Sequence, residues 1–111
     1  MSVPSEMSGL QDEEVGTVSF VRDYVELGFD GPVLRLLGRL SVLDDLGAVE
    51  DGDVQFEHRL RKFIGLSLTS LAERADGAEL TFGDGRRLQL FWTGPELMHF
   101  MARYGGPLVV W

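Results

Sequence analysis

Two stretches of this chain repeat one pattern, and that pattern limits the fold more than any other feature. Glu26-Leu27-Gly28-Phe29-Asp30-Gly31-Pro32-Val33-Leu34-Arg35-Leu36 matches Glu79-Leu80-Thr81-Phe82-Gly83-Asp84-Gly85-Arg86-Arg87-Leu88-Gln89-Leu90, with one extra residue in the second turn. Each reads E-L-x-F, then a turn built on Asp-Gly, then L-x-L. Alternating apolar residues on either side of Asp-Gly specify a β-hairpin, because glycine accepts the positive φ that a tight turn demands. Any hairpin with such a turn reads this way, and so does a β-β-β-α unit used twice. Both place the chain in the α+β class. The expectation is an antiparallel sheet of about five to six strands with two short helices on one face.

The rest of the chain fits around these hairpins. Residues 1–15, MSVPSEMSGLQDEEV, are acidic and without period, so a loosely ordered leader is expected, followed by a single domain over 16–111. Thr17 to Phe29 is β-branched and aromatic. It predicts two strands joined around Arg22-Asp23, or one long bent strand. The apolar run from Pro32 to Leu43 predicts another strand. Asp44 to Asp53, DDLGAVEDGD, holds five carboxylates and two glycines and reads as a loop.

The period then changes. Phe56, Leu60, Phe63 and Ile64 fall on one helical face, with Asp53 placed to cap the helix and Gly65 to end it. Leu66 to Ala75, Ala78 to Phe82 and Arg86 to Trp92 predict a three-stranded meander. Thr93 and Glu96 have the spacing of a capping box, and Pro95 sits where a first helical turn tolerates it. A second helix is therefore expected, with Leu97, Phe100, Met101 and Tyr104 as its apolar stripe. Leu108 to Trp111 reads as a short edge strand.

Several chemistries are excluded. The chain has no cysteine, which removes disulfides, Cys-ligated zinc, iron–sulfur clusters and thiol catalysis. Glu96-x-x-His99 occurs once, whereas di-iron bundles need it twice with further carboxylates. The acidic run misses the spacing of a calcium loop, no serine stands in G-x-S-x-G, and Gly83-Asp84-Gly85 lacks the third glycine of a dinucleotide loop. A non-enzymatic domain with no cofactor and no metal is the expectation. No apolar run approaches the roughly 20 residues that span a bilayer, and the N-terminus lacks a basic start and apolar stretch, so a cytoplasmic location is expected. The absence of Asn, with Lys62 the one lysine and Ile64 the one isoleucine, points to GC-rich bacterial codons.

Charge carries the functional signal. Eighteen acidic residues against 10 basic ones leave a net charge of −8. The excess is uneven: residues 1–57 hold 13 acids and 3 bases, and residues 58–111 hold 5 acids and 7 bases. An acidic face repels nucleic acid and anionic membranes and attracts basic proteins. The expected contact residues are Asp44, Asp45, Glu50, Asp51 and Asp53, with Trp111 as an aromatic anchor at an exposed edge. A second reading is a homodimer, formed when Leu108 to Trp111 or the apolar 33–43 run pairs with its copy. A third is a small-molecule pocket near Trp92 and His99.

The run from Arg22 to Leu34, RDYVELGFDGPVL, resembles a stretch of small single-domain proteins of high-GC bacteria. More faintly, the resemblance takes in Phe63-Ile64-Gly65 and the Leu80 to Gly85 hairpin. In size, acidity and strand-rich layout such proteins are similar to immunity proteins that neutralise secreted toxins. The resemblance implies one small domain; no motif specific to immunity is present, and the basic partner expected from the charge layout would, by this similarity, be a toxin whose active site is blocked.

Overall fold

The computed structural model describes residues 3–111. Ten strands follow in order: β1 (Thr17–Val21), β2 (Tyr24–Gly28), β3 (Val33–Leu36), β4 (Arg39–Asp44), β5 (Gly47–Glu50), β6 (Leu68–Arg74), β7 (Gly77–Phe82), β8 (Arg87–Phe91), β9 (Met98–Met101) and β10 (Leu108–Val110). One α-helix, α1 (Phe56–Arg61), lies between β5 and β6, and a 3-10 helix spans Ser5–Leu10. The strands form two sheets rather than the expected single one. Their orders are β1-β2-β3-β9-β10 and β5-β4-β8-β7-β6, with antiparallel pairing throughout.

Both repeated hairpins form. Glu26-Leu27-Gly28 lies on β2 and pairs with β3, and Glu79-Leu80-Thr81 lies on β7 and pairs with β8. In each, the leucine after the glutamate is fully buried and the glutamate meets an arginine: Glu26 with Arg35, and Glu79 with Arg87. The two halves also share a topology. Each is a three-stranded meander (β1-β2-β3 and β6-β7-β8) followed by a two-stranded hairpin (β4-β5 and β9-β10). The hairpins are exchanged: β4 pairs with β8 of the second meander, and β9 pairs with β3 of the first. Each sheet is thus completed by the other half of the chain.

This exchange explains why the apolar run 33–43 is two strands. The chain leaves β3, crosses at Leu37-Gly38 and enters β4 in the other sheet. Gly38 is required there, since a Cβ would stand 2.4 Å from the Phe91 carbonyl oxygen. The expected loop over 44–53 is largely the β4–β5 hairpin, turned at Asp45-Leu46 with Gly47 at φ 100°. Its carboxylates are tolerated because β5 is an edge strand with one solvated face.

The second helix does not form. Met98–Met101 is a strand between β3 and β10, placing Phe100 beside Leu34 and Val109, and Met98 beside Leu36. Met98 and Phe100 also satisfy a two-residue period, so the slot between two strands overrides the helical spacing. The first helix is shorter than its periodicity suggests, and Asp53 accepts a hydrogen bond from Gln55 N at 2.9 Å just ahead of it rather than capping it.

One core lies between the sheets, with Leu27, Leu34 and Phe100 from one side and Val42, Leu80 and Leu88 from the other. Phe63 and Phe82 meet edge to face at 4.9 Å within it. The segment expected as a leader contributes as well: Met7, Leu10 and Val15 are buried, and residues 12–15 bond the backbone of Leu66 and Leu68. Residues 1 and 2 of that segment lie outside the described residues. Among those described, no helix is long and apolar enough to cross a membrane.

Candidate functional site

The acidic stretch divides into structural and free carboxylates. Asp44 ends β4, and its two oxygens take bonds from Arg59 of α1, Nε to Oδ2 at 2.9 Å and Nη2 to Oδ1. Its Oδ1 also accepts from Leu46 N at 2.9 Å, and Arg59 Nη2 donates to the Gly47 carbonyl. The side chains are 7% and 9% exposed. Hydrogen bonding from Arg59 holds the Asp44 carboxyl below its ordinary range, against the opposing pull of burial. Asp44 therefore fastens α1 to the second sheet, with both carboxylate oxygens already engaged. Asp53 is half committed, to Gln55 N. Asp45, Glu50 and Asp51 are exposed, and the side chains of Glu50, Asp51 and nearby Glu57 make no hydrogen bond or ion pair among the described residues.

Trp111, expected at an exposed edge, is 5% exposed. Its ring meets Trp92 edge to face at 6.5 Å, and its backbone exchanges bonds with Met98. Its indole Nε1 is buried without an acceptor among the described residues. The apolar bulk of the ring outweighs its one polar atom in deciding where it sits.

Of the carboxylates in and beside the acidic stretch, Asp51, Asp53 and Glu57 line an open cleft of about 670 Å³. Three segments make it: the β1–β2 turn at Arg22-Asp23, the crossing around Gly38, and the connection from Asp51 into α1. Its lining includes Phe20 and Phe56, whose rings meet edge to face at 6.5 Å, with the Arg61 guanidinium 4.8 Å from the Phe20 centroid. Val54 projects from the rim at 93% exposure, and Leu46 at the β4–β5 turn is 73% exposed. These two aliphatics went unnoticed in the sequence. The signal was there, since they are isolated apolar residues in an acidic run. Arg22 and Asp23 were out of reach, because only the meeting of β1–β2 with α1 brings them to the cleft.

The remaining sequence candidates lie elsewhere. Glu96 and His99 do pair, Nε2 to Oε2 at 2.5 Å, but at the start of β9 rather than on a helix. His99 stands opposite Arg35 on β3, and Arg35 Nε donates to Glu26 Oε1 at 3.1 Å while stacking on Tyr24 at 5.4 Å. This row crosses the outer face of the first sheet, and of its members only Tyr24 also lines the cleft. Among the described residues, no group of three or more His, Asp or Glu side chains converges on a metal position. Comparison with protein-family models, with curated proteins and with solved structures finds no match.

Proposed function

We propose that this is a non-enzymatic, cytoplasmic protein-binding domain, and that the acidic rim of the cleft between β1–β2 and the β5–α1 connection receives a basic protein partner. One observation carries the reading: Asp51 and Glu57, which make no hydrogen bond or ion pair among the described residues, share the cleft lining with Val54, an aliphatic side chain that is 93% exposed. Protein interfaces combine an apolar centre with a charged border, and an exposed valine among free carboxylates has that composition. Unpaired surface charge contributes little to fold stability, so its concentration beside an apolar knob favours recognition over scaffolding. Opposite charge on the partner would accelerate encounter and make it sensitive to salt. Resemblance to immunity proteins in size and acidity makes a toxin, blocked at its active site, the partner class this reading favours.

The test is affinity capture from the native host with wild-type protein and with the double variant Asp51→Lys, Val54→Asp as baits. A basic protein held by wild type at low salt, released at high salt and absent from the variant is the expected result. Equal recovery on both baits, or none on either, removes the proposal.

A further inference from the structure

The two sheets have four edges, and three are met along part of their length by other segments of the chain. At the β1 edge α1 packs against the strand, with Phe56 on Phe20. Arg59 of the same helix bonds the Gly47 carbonyl of β5. At β6, Asp12 N donates to the Leu68 carbonyl, Leu68 N donates to the Glu13 carbonyl, and Gln11 reaches the Thr69 carbonyl. The fourth edge is β10, the counterpart of β5 in the exchanged topology. It has β9 on one side and no strand on the other, and no backbone bond from elsewhere in the described chain reaches that side.

The phase of its hydrogen bonds can be read from its neighbours. Trp111 N donates to the Met98 carbonyl and Met98 N to the Trp111 carbonyl, so Trp111 and Met98 are a hydrogen-bonded pair. Antiparallel ladders alternate, so Val109 faces Phe100 as the next bonded pair, and Val110 and Leu108 turn their N–H and C=O groups to the open side. The same two residues are the exposed apolar ones of the strand, at 47% and 48%. β10 itself carries no charge and no proline, so apart from its shortness and Pro107 just ahead of it nothing keeps the edge from pairing.

We propose that this edge pairs with β10 of a second copy of the chain. In an antiparallel register centred on Val109, Leu108 of one copy is the hydrogen-bonded partner of Val110 of the other, and the reverse. The four open groups of each strand then match the four of its twin, so an identical strand satisfies the edge through an isologous two-fold contact. Leu108 and Val110 of the two copies also lie side by side on one face. Two three-residue strands bury far less than the roughly 1,200 Å² of a standard interface, so the dimer is weak and reversible.

Sedimentation equilibrium over a wide concentration range tests this, together with amide exchange. The mass should climb from 12.3 kDa toward twice that value as concentration rises. Amides of Leu108 and Val110 should gain protection in step, while that of Val109 is protected throughout. Val110→Pro removes a donor that β9 does not use, so it should leave a folded monomer. If that variant does not fold, Val110→Lys, which keeps the backbone intact, serves in its place. A monomer at every concentration overturns the proposal, as does a dimer that survives in a folded Val110 variant.

Discussion

Replacing Gly38 by alanine tests the crossing on which the exchanged topology depends. The new Cβ would lie 2.4 Å from the Phe91 carbonyl oxygen and 3.0 Å from Leu97 Cδ1. Carbon and carbonyl oxygen ordinarily approach to about 3.3–3.6 Å, so the crossing must move away from the end of β8 by roughly 1 Å. Arg39, the next residue, is paired with Phe91 in the β4–β8 ladder, so the shift strains that pairing first. Losing one such hydrogen bond costs about 1 kcal/mol, and forced repacking adds about 1–3 kcal/mol. Gly38→Ala should therefore destabilise by about 2–4 kcal/mol, a large part of the roughly 5–15 kcal/mol a domain possesses. Gly94 lies on the other crossing, between β8 and β9, and an added Cβ there meets nothing within 4 Å. Gly94→Ala should stay within about 0.5 kcal/mol of wild type. Urea denaturation decides, with the midpoint of Gly38→Ala falling at unchanged slope. Equal midpoints for the two variants would refute the steric argument.

Three further outcomes follow from the packing and the charges. Phe82→Ala, which opens a cavity against Phe63, should cost about 3–5 kcal/mol in the same urea assay, and a loss below 1 kcal/mol would mean that the ring is not in the core. Because Arg59 depresses the Asp44 carboxyl, its contribution is fully present above its ordinary value of 3.8 and is lost as pH falls through the lower folded value. Melting temperature measured across the acid range should fall less steeply in Asp44→Asn than in wild type, and parallel curves would show that the pair is not linked to folding. Glu79, held low mainly by the hydrogen bond from Gln89 and by Arg87 and Arg74, loses its contribution in the same direction below 4.5, so Glu79→Gln should flatten the profile further.

Strands with turn punctuation were legible in the sequence. The Asp-Gly hairpins, the β6-β7-β8 meander and the helix around Leu60 announce themselves through local pattern, because a turn residue and a two-residue alternation act over a few positions. What was not legible is where each strand goes. Nothing local distinguishes Leu34, in the first sheet, from Leu40, in the second; Gly38 between them is the one mark of a change of sheet. Met98-His99-Phe100-Met101 suits either a helix or a strand, and partners more than 60 residues away on β3 settle it. The acidic stretch behaved in the same way. Its composition identified an exposed region, but the partner of Asp44 is 15 residues distant and the burial of Trp111 depends on the whole sheet, so these two were indistinguishable from the other expected contact residues.

The exchanged hairpins have a consequence for how the chain reaches its native state. Neither half can finish a sheet alone: β4-β5 is stranded without β8, and β9-β10 without β3. Pairings between residues 44 to 68 positions apart must close before either three-stranded meander gains its fourth and fifth strands, so folding is governed by loop-closure entropy and should be slow for a domain of this size. The same dependence makes partial unfolding of one half unprofitable, because it strips two strands from the other. A backbone cut in the connection after β5 should therefore leave two fragments that are unfolded apart and ordered only when mixed, so that the chain is effectively a dimer of half-domains held in one polypeptide.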